Sequence, residues 1–331
     1  MLDPTILLIL VVILALAFDF SNGWHDSANA IATVVSTRVL SPVQAVLIAA
    51  VLNVAGAFMS TAVAKMIGGG IVDATMIQQT TVIAALSGAI IWNTFTLVLG
   101  LPTSSSHALI GGIIGGALAQ SGMAAIKVSG LQKVGEAMLF SPLLGFIAGY
   151  LVILAACWAV FRRVSRGKAN LAFRRLQLVS SGLMAFSHGS NDAQKAMGVI
   201  TLALVSSGAI ATVEIPLWVV MSCAIAMGLG TAAGGWRIVK TMGMGIMKME
   251  PVHGFAAETG ASLVLLGTAH FGVPVSTTHT ITSSILGVGS AKRLSAVKWG
   301  VTKRIVYAWL FTLPGAGLVA YGISSAFQSF R

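Results

Sequence analysis

The chain has 331 residues, of which 56% are hydrophobic and only 9% charged, and its mean hydropathy is +0.91. Soluble domains carry about 25% charged residues, so there are too few polar side chains here to coat a globule of this size. The 20 Lys and Arg against 9 Asp and Glu, a net charge of +11, then read as the cationic excess of cytoplasmic membrane loops and not as a surface for nucleic acid. The composition is that of an all-α, multi-pass protein of the cytoplasmic membrane, with membrane lipid around it.

In chain order, Met1-Leu2-Asp3-Pro4 places no basic segment before the first apolar run, which argues for a retained first helix and against a cleaved signal peptide. Stretches of bilayer length, about 17–25 residues, are expected at 4–36, 42–66, 76–100, 103–120 and 138–161. After the polar segment Arg162–Arg175, a second set follows at 176–207, 215–235, 251–271, 275–290 and 305–327. The reading is therefore about ten crossings: a first membrane repeat (1–161), a basic cytoplasmic linker (162–175) and a second repeat (176–331). Fourteen of the twenty basic residues fall at 162–175, 237–248 and 292–304. With an external N-terminus all three connections become cytoplasmic, as the positive-inside tendency requires. Cys157 and Cys223 lie singly in apolar runs and suggest neither a metal site nor a disulfide.

The halves carry related motifs. Asn22-Gly23-Trp24-His25-Asp26-Ser27-Ala28-Asn29-Ala30 resembles His188-Gly189-Ser190-Asn191-Asp192-Ala193-Gln194-Lys195-Ala196, and Gly100-Leu101-Pro102-Thr103-Ser104-Ser105-Ser106-His107 resembles Gly272-Val273-Pro274-Val275-Ser276-Thr277-Thr278-His279. Two motifs recurring in order, in halves with an odd number of crossings each, imply two inverted repeats. Long segments interrupted by polar residues (4–36 and 176–207) and short ones following a proline (103–120 and 275–290) suggest broken or re-entrant helices, the usual pointer to a transporter's binding site.

Asp26, Asp192 and Glu258 are acids embedded in apolar sequence, where a carboxylate costs several kcal/mol and marks an ion, proton or substrate site; the bland alternative is an acid capping a broken helix. Asp26, Asn29 and Thr33 share one helical face, and Lys195 stands three residues from Asp192. Lys195 is either an internal counter-ion or a fixed positive charge for an anion. Thr103-Ser104-Ser105-Ser106 and Ser276-Thr277-Thr278 would begin fresh helices after Pro102 and Pro274, where free N–H groups and rotatable hydroxyls suit a tetrahedral oxyanion; alternatively they cap those helices. His25, His188, His107 and His279 flank the motifs as packing residues, proton-linked groups or ligands, with no spacing that implies a permanent metal site. The overlapping GxxxG registers at 111–116 read as close helix packing. An intramembrane hydrolase using a Ser104–Ser106 hydroxyl with His107 or Asp26 lacks a GxSxG context.

At NGWHDSANAIAT (22–33), GLPTSSSHALIG (100–111), FSHGSNDAQKAMG (186–198) and GVPVSTTH (272–279) the sequence resembles the inorganic phosphate transporter (PiT) family over essentially the whole chain. The resemblance implies a secondary transporter, not an enzyme, that imports inorganic phosphate by cation symport, with an inverted-repeat fold and a homodimeric assembly. It implies phosphate binding by Thr103, Ser104, Ser105, Ser276, Thr277, Thr278, Asn29, Asn191 and Lys195. It implies cation coupling by Asp26, Asp192, Glu258 and His25. Sodium-coupled members pair the glutamate at 258 with a second one, to which Asn53 corresponds here; His25 and Lys195 stand where they commonly have Asn. One acid fewer and one cation more resembles the low-affinity branch, which implies coupling to H+ rather than Na+, no resident cofactor, and a divalent metal–phosphate as a possible cargo. A sodium-coupled carrier or a sulfate permease of the same fold is the alternative.

Overall fold

The computed structural model describes residues 3–161, 164–273 and 275–329. The expected helix break at Pro274, and Arg162 and Arg163 of the basic cluster, lie outside the described residues. Among the described residues there is no strand, only the single bridge Val72–Ile126. The first half is α1 (Pro4–Ser36), α2 (Pro42–Ala57), α3 (Ala62–Gly69), α4 (Gln79–Leu99), α5 (Ser105–Ser121) and α6 (Val128–Phe161). The second is α7 (Arg166–Ser206), α8 (Leu217–Ala233), α9 (Trp236–Lys240, continued by a π-helical turn to Gly245), α10 (Pro251–His270), α11 (Thr277–Lys292) and α12 (Trp299–Ser329).

Five helices (α1, α4, α5, α6 and α12) are long and apolar enough to cross a bilayer alone. The bent pairs α2–α3 (72°) and α8–α9 (61°) bring the number to seven. The other three expected crossings, α7, α10 and α11, carry most of the second half's buried Ser, Thr, Asn, Asp, Glu and Lys, which lowers their apolarity. Lipid-facing side chains are plentiful: Ile6, Ile9 and Ile13 form one stripe on α1, and Leu310, Phe311 and Leu318 project from α12.

The breaks are not where the polar residues lead one to expect them. α1 and α7 run unbroken through both aspartate motifs. The mid-helix glycines there serve close packing: a Cβ on Gly23 would overlap the Met227 carbonyl, and one on Gly189 the Asn53 carbonyl. Backbone contact of this kind outweighs the roughly 1 kcal/mol that glycine costs a helix. The true interruptions fall at 58–61 and at Gly234-Gly235. α6 and α12 instead pass through Pro142 and Pro314 without ending. Helix α7 starts at Arg166, so most of the expected linker is helical.

The packing is pairwise exchangeable between halves. α1 lies on α8 as α7 lies on α2; α5 packs on α12 as α11 packs on α6; α1–α4 and α4–α5 match α7–α10 and α10–α11. Both GxxxG registers are used, Gly111 and Gly115 against α12 and Gly112 and Gly116 against α4. One end of the bundle gathers the cations. The Arg174 guanidinium donates to the Arg38 carbonyl, Arg237 to the Val98 carbonyl, Lys298 to the Met244 carbonyl, and Lys292 pairs with Glu250. Both cysteines are free thiols.

Candidate functional site

α4 ends at Gly100 in the left-handed conformation (φ 66°), and α10 ends at Gly272 in the same one (φ 66°). Each glycine stops its helix, and a new helix is capped by the serine four residues further on, Ser104 and Ser276. The Ser104 hydroxyl accepts from the His107 N–H (3.2 Å), and the Ser276 hydroxyl accepts from the His279 N–H (3.1 Å). Capping thus occupies these two hydroxyls. Of the others in these runs, Ser105, Thr277 and Thr278 turn to the acids, whereas Ser106 donates to the Val275 carbonyl and Thr103 to Thr96.

Every residue of this centre is buried. The Asp26 carboxylate accepts from Ser105 Oγ (2.9 Å) and Thr278 Oγ1 (3.3 Å) and lies 2.6 Å from His25 Nδ1. The Asp192 carboxylate lies 2.7 Å from Lys195 Nζ and 3.4 Å from His188 Nε2, and accepts from Thr277 Oγ1 (3.2 Å). The two acids are joined through Lys195 Nζ, which donates to Ser105 Oγ (3.0 Å), and through the Asn29 amide, which donates to Thr277 (3.3 Å) and Thr278 (3.0 Å). Behind Asp26, Thr103 and Thr96 support the far side of the His25 ring. Asp26, His188 and Asp192 each offer a ligand atom within 4.8 Å of the others, a hard-oxygen and imidazole set suited to a divalent cation.

Not every expected residue joins this centre. Asn191 sits one position, about 100° of helix, from Asp192; its amide donates to the carbonyls of Ser187 and Leu265 (both 3.1 Å), which turns it towards α10. Glu258 forms a second buried cluster with Thr33 (2.5 Å), Gln177 (3.1 Å) and Ser180. Thr33 lies seven residues beyond Asp26 on α1, so this cluster is about 10 Å towards the basic end. Asn53 is not the positional counterpart of Glu258: it lies on α2, which exchanges with α8, whereas α10 exchanges with α4. Its side chain meets His188 Nδ1 (2.9 Å) and donates to Thr231 (2.9 Å), making it a support of the central histidine. The His107 and His279 rings meet edge to face at 4.6 Å, and His279 stacks on Trp309 at 3.9 Å, so these two pack together instead of flanking the acids.

Sequence reasoning missed Thr96, Gln177 and Ser180, because single polar residues in apolar runs carry no motif, and gave Asn53 only as the position of a coupling glutamate. It also passed over Asp19, a fully buried acid on α1.

Two openings approach the centre from opposite ends. One cavity of about 760 Å³ is lined by Lys65, Lys133, Glu136, His270, Gly272 and Val275, and so reaches the α10–α11 turn. Another of about 300 Å³, at the basic end, is lined by Lys240, Arg304, Gly100 and Leu101 and reaches the α4–α5 turn. The hydroxyls and acids between them are sealed from both.

Comparison with known proteins agrees with this geometry. Residues 22–320 match the phosphate transporter family. A Bacillus subtilis protein named "Probable low-affinity inorganic phosphate transporter" is 47% identical over 324 residues, covering 96% of this chain and 97% of the relative. A Rhizobium meliloti protein of the same name is 48% identical over 316 residues, covering 95% and 94%. Among solved structures, one named "The sodium-dependent phosphate transporter" superposes with a TM-score of 0.91 at 25% identity, covering 98% of this chain and all of that one. The chain is a multi-pass protein of the cell membrane and belongs to the phosphate transporter family.

Proposed function

We propose that this phosphate transporter is a cation symporter of alternating access in which phosphate binds between the N-termini of α5 and α11. Ser105, Thr277, Thr278, Asn29 and Lys195 supply donors there, and the first-turn amides of both helices, which have no intrahelical acceptor, point the same way. The observation that carries the coupling is the charge of the centre. With His25 and His188 counted as neutral, two carboxylates, Asp26 and Asp192, stand against one ammonium, Lys195, a formal charge of −1 before any phosphate enters. Adding a further anion to a negative, desolvated pocket is prohibitive unless a cation accompanies it.

The coupling cation in this reading is the proton. Lys195 already occupies one cationic position, and the residue beside His188 is the neutral Asn53 in place of an acid. Asp26, His188 and Asp192 also suit a divalent ion carried with phosphate as cargo. The exchangeable packing of the halves, with one basic-lined opening at each end, supports an inverted repeat divided at residues 162–175, each glycine–hydroxyl turn gating one side.

The test is uptake of labelled phosphate into proteoliposomes with proton, sodium and magnesium gradients imposed separately. Accumulation driven by an inward proton gradient in sodium-free buffer is expected. Accumulation that follows only sodium would refute proton coupling, and response to neither would refute symport.

A further inference from the structure

Asp19 takes no part in the centre described above, yet it is fully buried. Neither carboxylate oxygen has a hydrogen-bond partner, and the neighbouring Asn22 amide is likewise unpartnered at both of its atoms. The helices that carry Asp19 and Cys223 share one buried apolar core, to which Ala15, Phe18, Ala224 and Met227 belong. The titratable and charged groups that face it are Cys223 from α8, and Asp192 and Lys195 from α7, the two acting through space without contact.

A buried carboxylate with no ion pair and no hydrogen bond of normal length costs several kcal/mol, and membrane proteins keep such residues for function. Two occupants relieve the cost: a metal cation or a proton. A hard cation such as Na+ or Mg2+ takes about six oxygen ligands. Asp19 and Asn22 offer three side-chain oxygens between them, and the next neighbour, Cys223, is a thiol. A proton needs only the carboxylate. Position along α1 adds to this. Asp19, Asp26 and Thr33 recur every seven residues on α1, so two buried acids and the threonine that holds Glu258 of α10 are strung along one face at intervals of about 10 Å.

We propose that Asp19, with Asn22 beside it, is a proton-binding site on α1, separate from the phosphate centre, through which the proton gradient acts on phosphate transport. This rests on the reading of the protein as a proton symporter. Protonation makes Asp19 neutral. Deprotonation places a negative charge within reach of Asp192 and Lys195, where it repels the first and draws on the second. Lys195 holds both Asp192 and the Ser105 hydroxyl, so the charge on Asp19 sets how much of the ammonium's field is left for an anion. Phosphate is thereby favoured when the proton is bound.

The experiment uses the full chain in proteoliposomes and compares the parent with Asp19→Asn, a neutral isostere of the protonated acid. Two transport modes are read: accumulation of labelled phosphate driven by an inward proton gradient, and phosphate–phosphate exchange at equal pH on both sides. Asp19→Asn is expected to keep exchange within about threefold and to lose accumulation above equilibrium by about tenfold or more. Parent-level accumulation in the variant, or equal loss of both modes, overturns the proposal. Failure of the parent itself to respond to a proton gradient instead overturns the symport reading, so the two failures are distinct. In parallel, the unmodified protein is treated with an apolar carbodiimide, which couples to protonated carboxyls in apolar surroundings, and the adducts are mapped by mass spectrometry. Modification of Asp19 that fades as the pH is raised is expected, and a protein without that adduct at mildly acidic pH refutes the site even if the variant fails to fold.

Discussion

Replacing Lys195 by Gln separates two roles for this ammonium. The residue is buried, holds Asp192 at 2.7 Å, and donates to Ser105 at 3.0 Å. If it serves phosphate, its loss takes the centre from −1 to −2. At an effective dielectric of about 20, two unit charges about 4 Å apart interact by about 4 kcal/mol. Gln retains a donor for Ser105, which returns about 1 kcal/mol. The net loss of about 3 kcal/mol corresponds to phosphate binding weakened about a hundredfold. Stability suffers as well, because leaving Asp192 without its partner costs about 3–5 kcal/mol for a buried pair. The double variant Asp192→Asn/Lys195→Gln returns the centre to −1 and should recover most of that stability together with much of the phosphate affinity. Phosphate binding and thermal unfolding, both measured in detergent, read the two effects separately. If Lys195→Gln binds phosphate within about threefold of the parent, or the double variant regains stability but no affinity, the charge of the centre does not set phosphate binding and the reasoning fails.

Three further outcomes follow from the geometry. Ser104→Ala and Ser276→Ala, which remove helix caps, should each cost about 1 kcal/mol of thermal stability. Ser105→Ala and Thr278→Ala should instead raise the KM for phosphate uptake with little change in melting temperature, and uptake kinetics beside thermal melts distinguish the pairs. Gly56→Ala and Gly230→Ala place a Cβ against the carbonyls of Phe186 and Phe20 at the α2–α7 and α1–α8 crossings. Each should destabilise by about 1–3 kcal/mol, read as loss of monodisperse protein on heating. Chelating divalent cations should slow uptake by the parent, and magnesium should restore it. His188→Ala, which removes one arm of the Asp26–His188–Asp192 triad, should leave uptake indifferent to magnesium.

Much of the site is visible in the sequence because duplication writes it twice. Asp26 and Asp192, and the hydroxyl runs after Pro102 and Pro274, stand out once the halves are laid side by side, and the structure brings all four of these features together. Each of the ten apolar stretches overlaps one helix or bent pair, since bilayer length and punctuation by Gly, Pro and charge are local signals, but α6 and α7 each begin ten residues before the expected bound. Helix continuity is not local. Asn22-Gly23 and His188-Gly189 look like interruptions, but α8 and α2 press their backbones against those glycines, and tertiary packing decides. The division of the serines between capping and the centre is equally hidden, because it depends on which hydroxyl faces into the helix turn. Asp19 has no counterpart motif in the second half, where Ala185 stands seven residues before Asp192, so only burial reveals it.

The bonds that would hold phosphate are also those that hold the halves together. Asn29 of the first half donates to Thr277 and Thr278 of the second, Thr278 donates back to Asp26, and Lys195 of the second donates to Ser105 of the first. Any motion that opens one end must part some of these contacts inside a dry, low-dielectric centre, where an unpaired buried polar group costs about 1–3 kcal/mol and an unpaired charge more. Phosphate offers four oxygens to the stranded donors, and a proton or a divalent cation offers positive charge to the stranded acids. Neither alone suffices: phosphate by itself deepens the negative charge beside Asp26 and Asp192, and a cation by itself leaves Ser105, Thr277, Thr278 and Asn29 without acceptors. Loading both compensates donors and acids together. Under the proposed symport, the hydrogen-bond and charge balance of the closed centre is what would make co-transport obligatory.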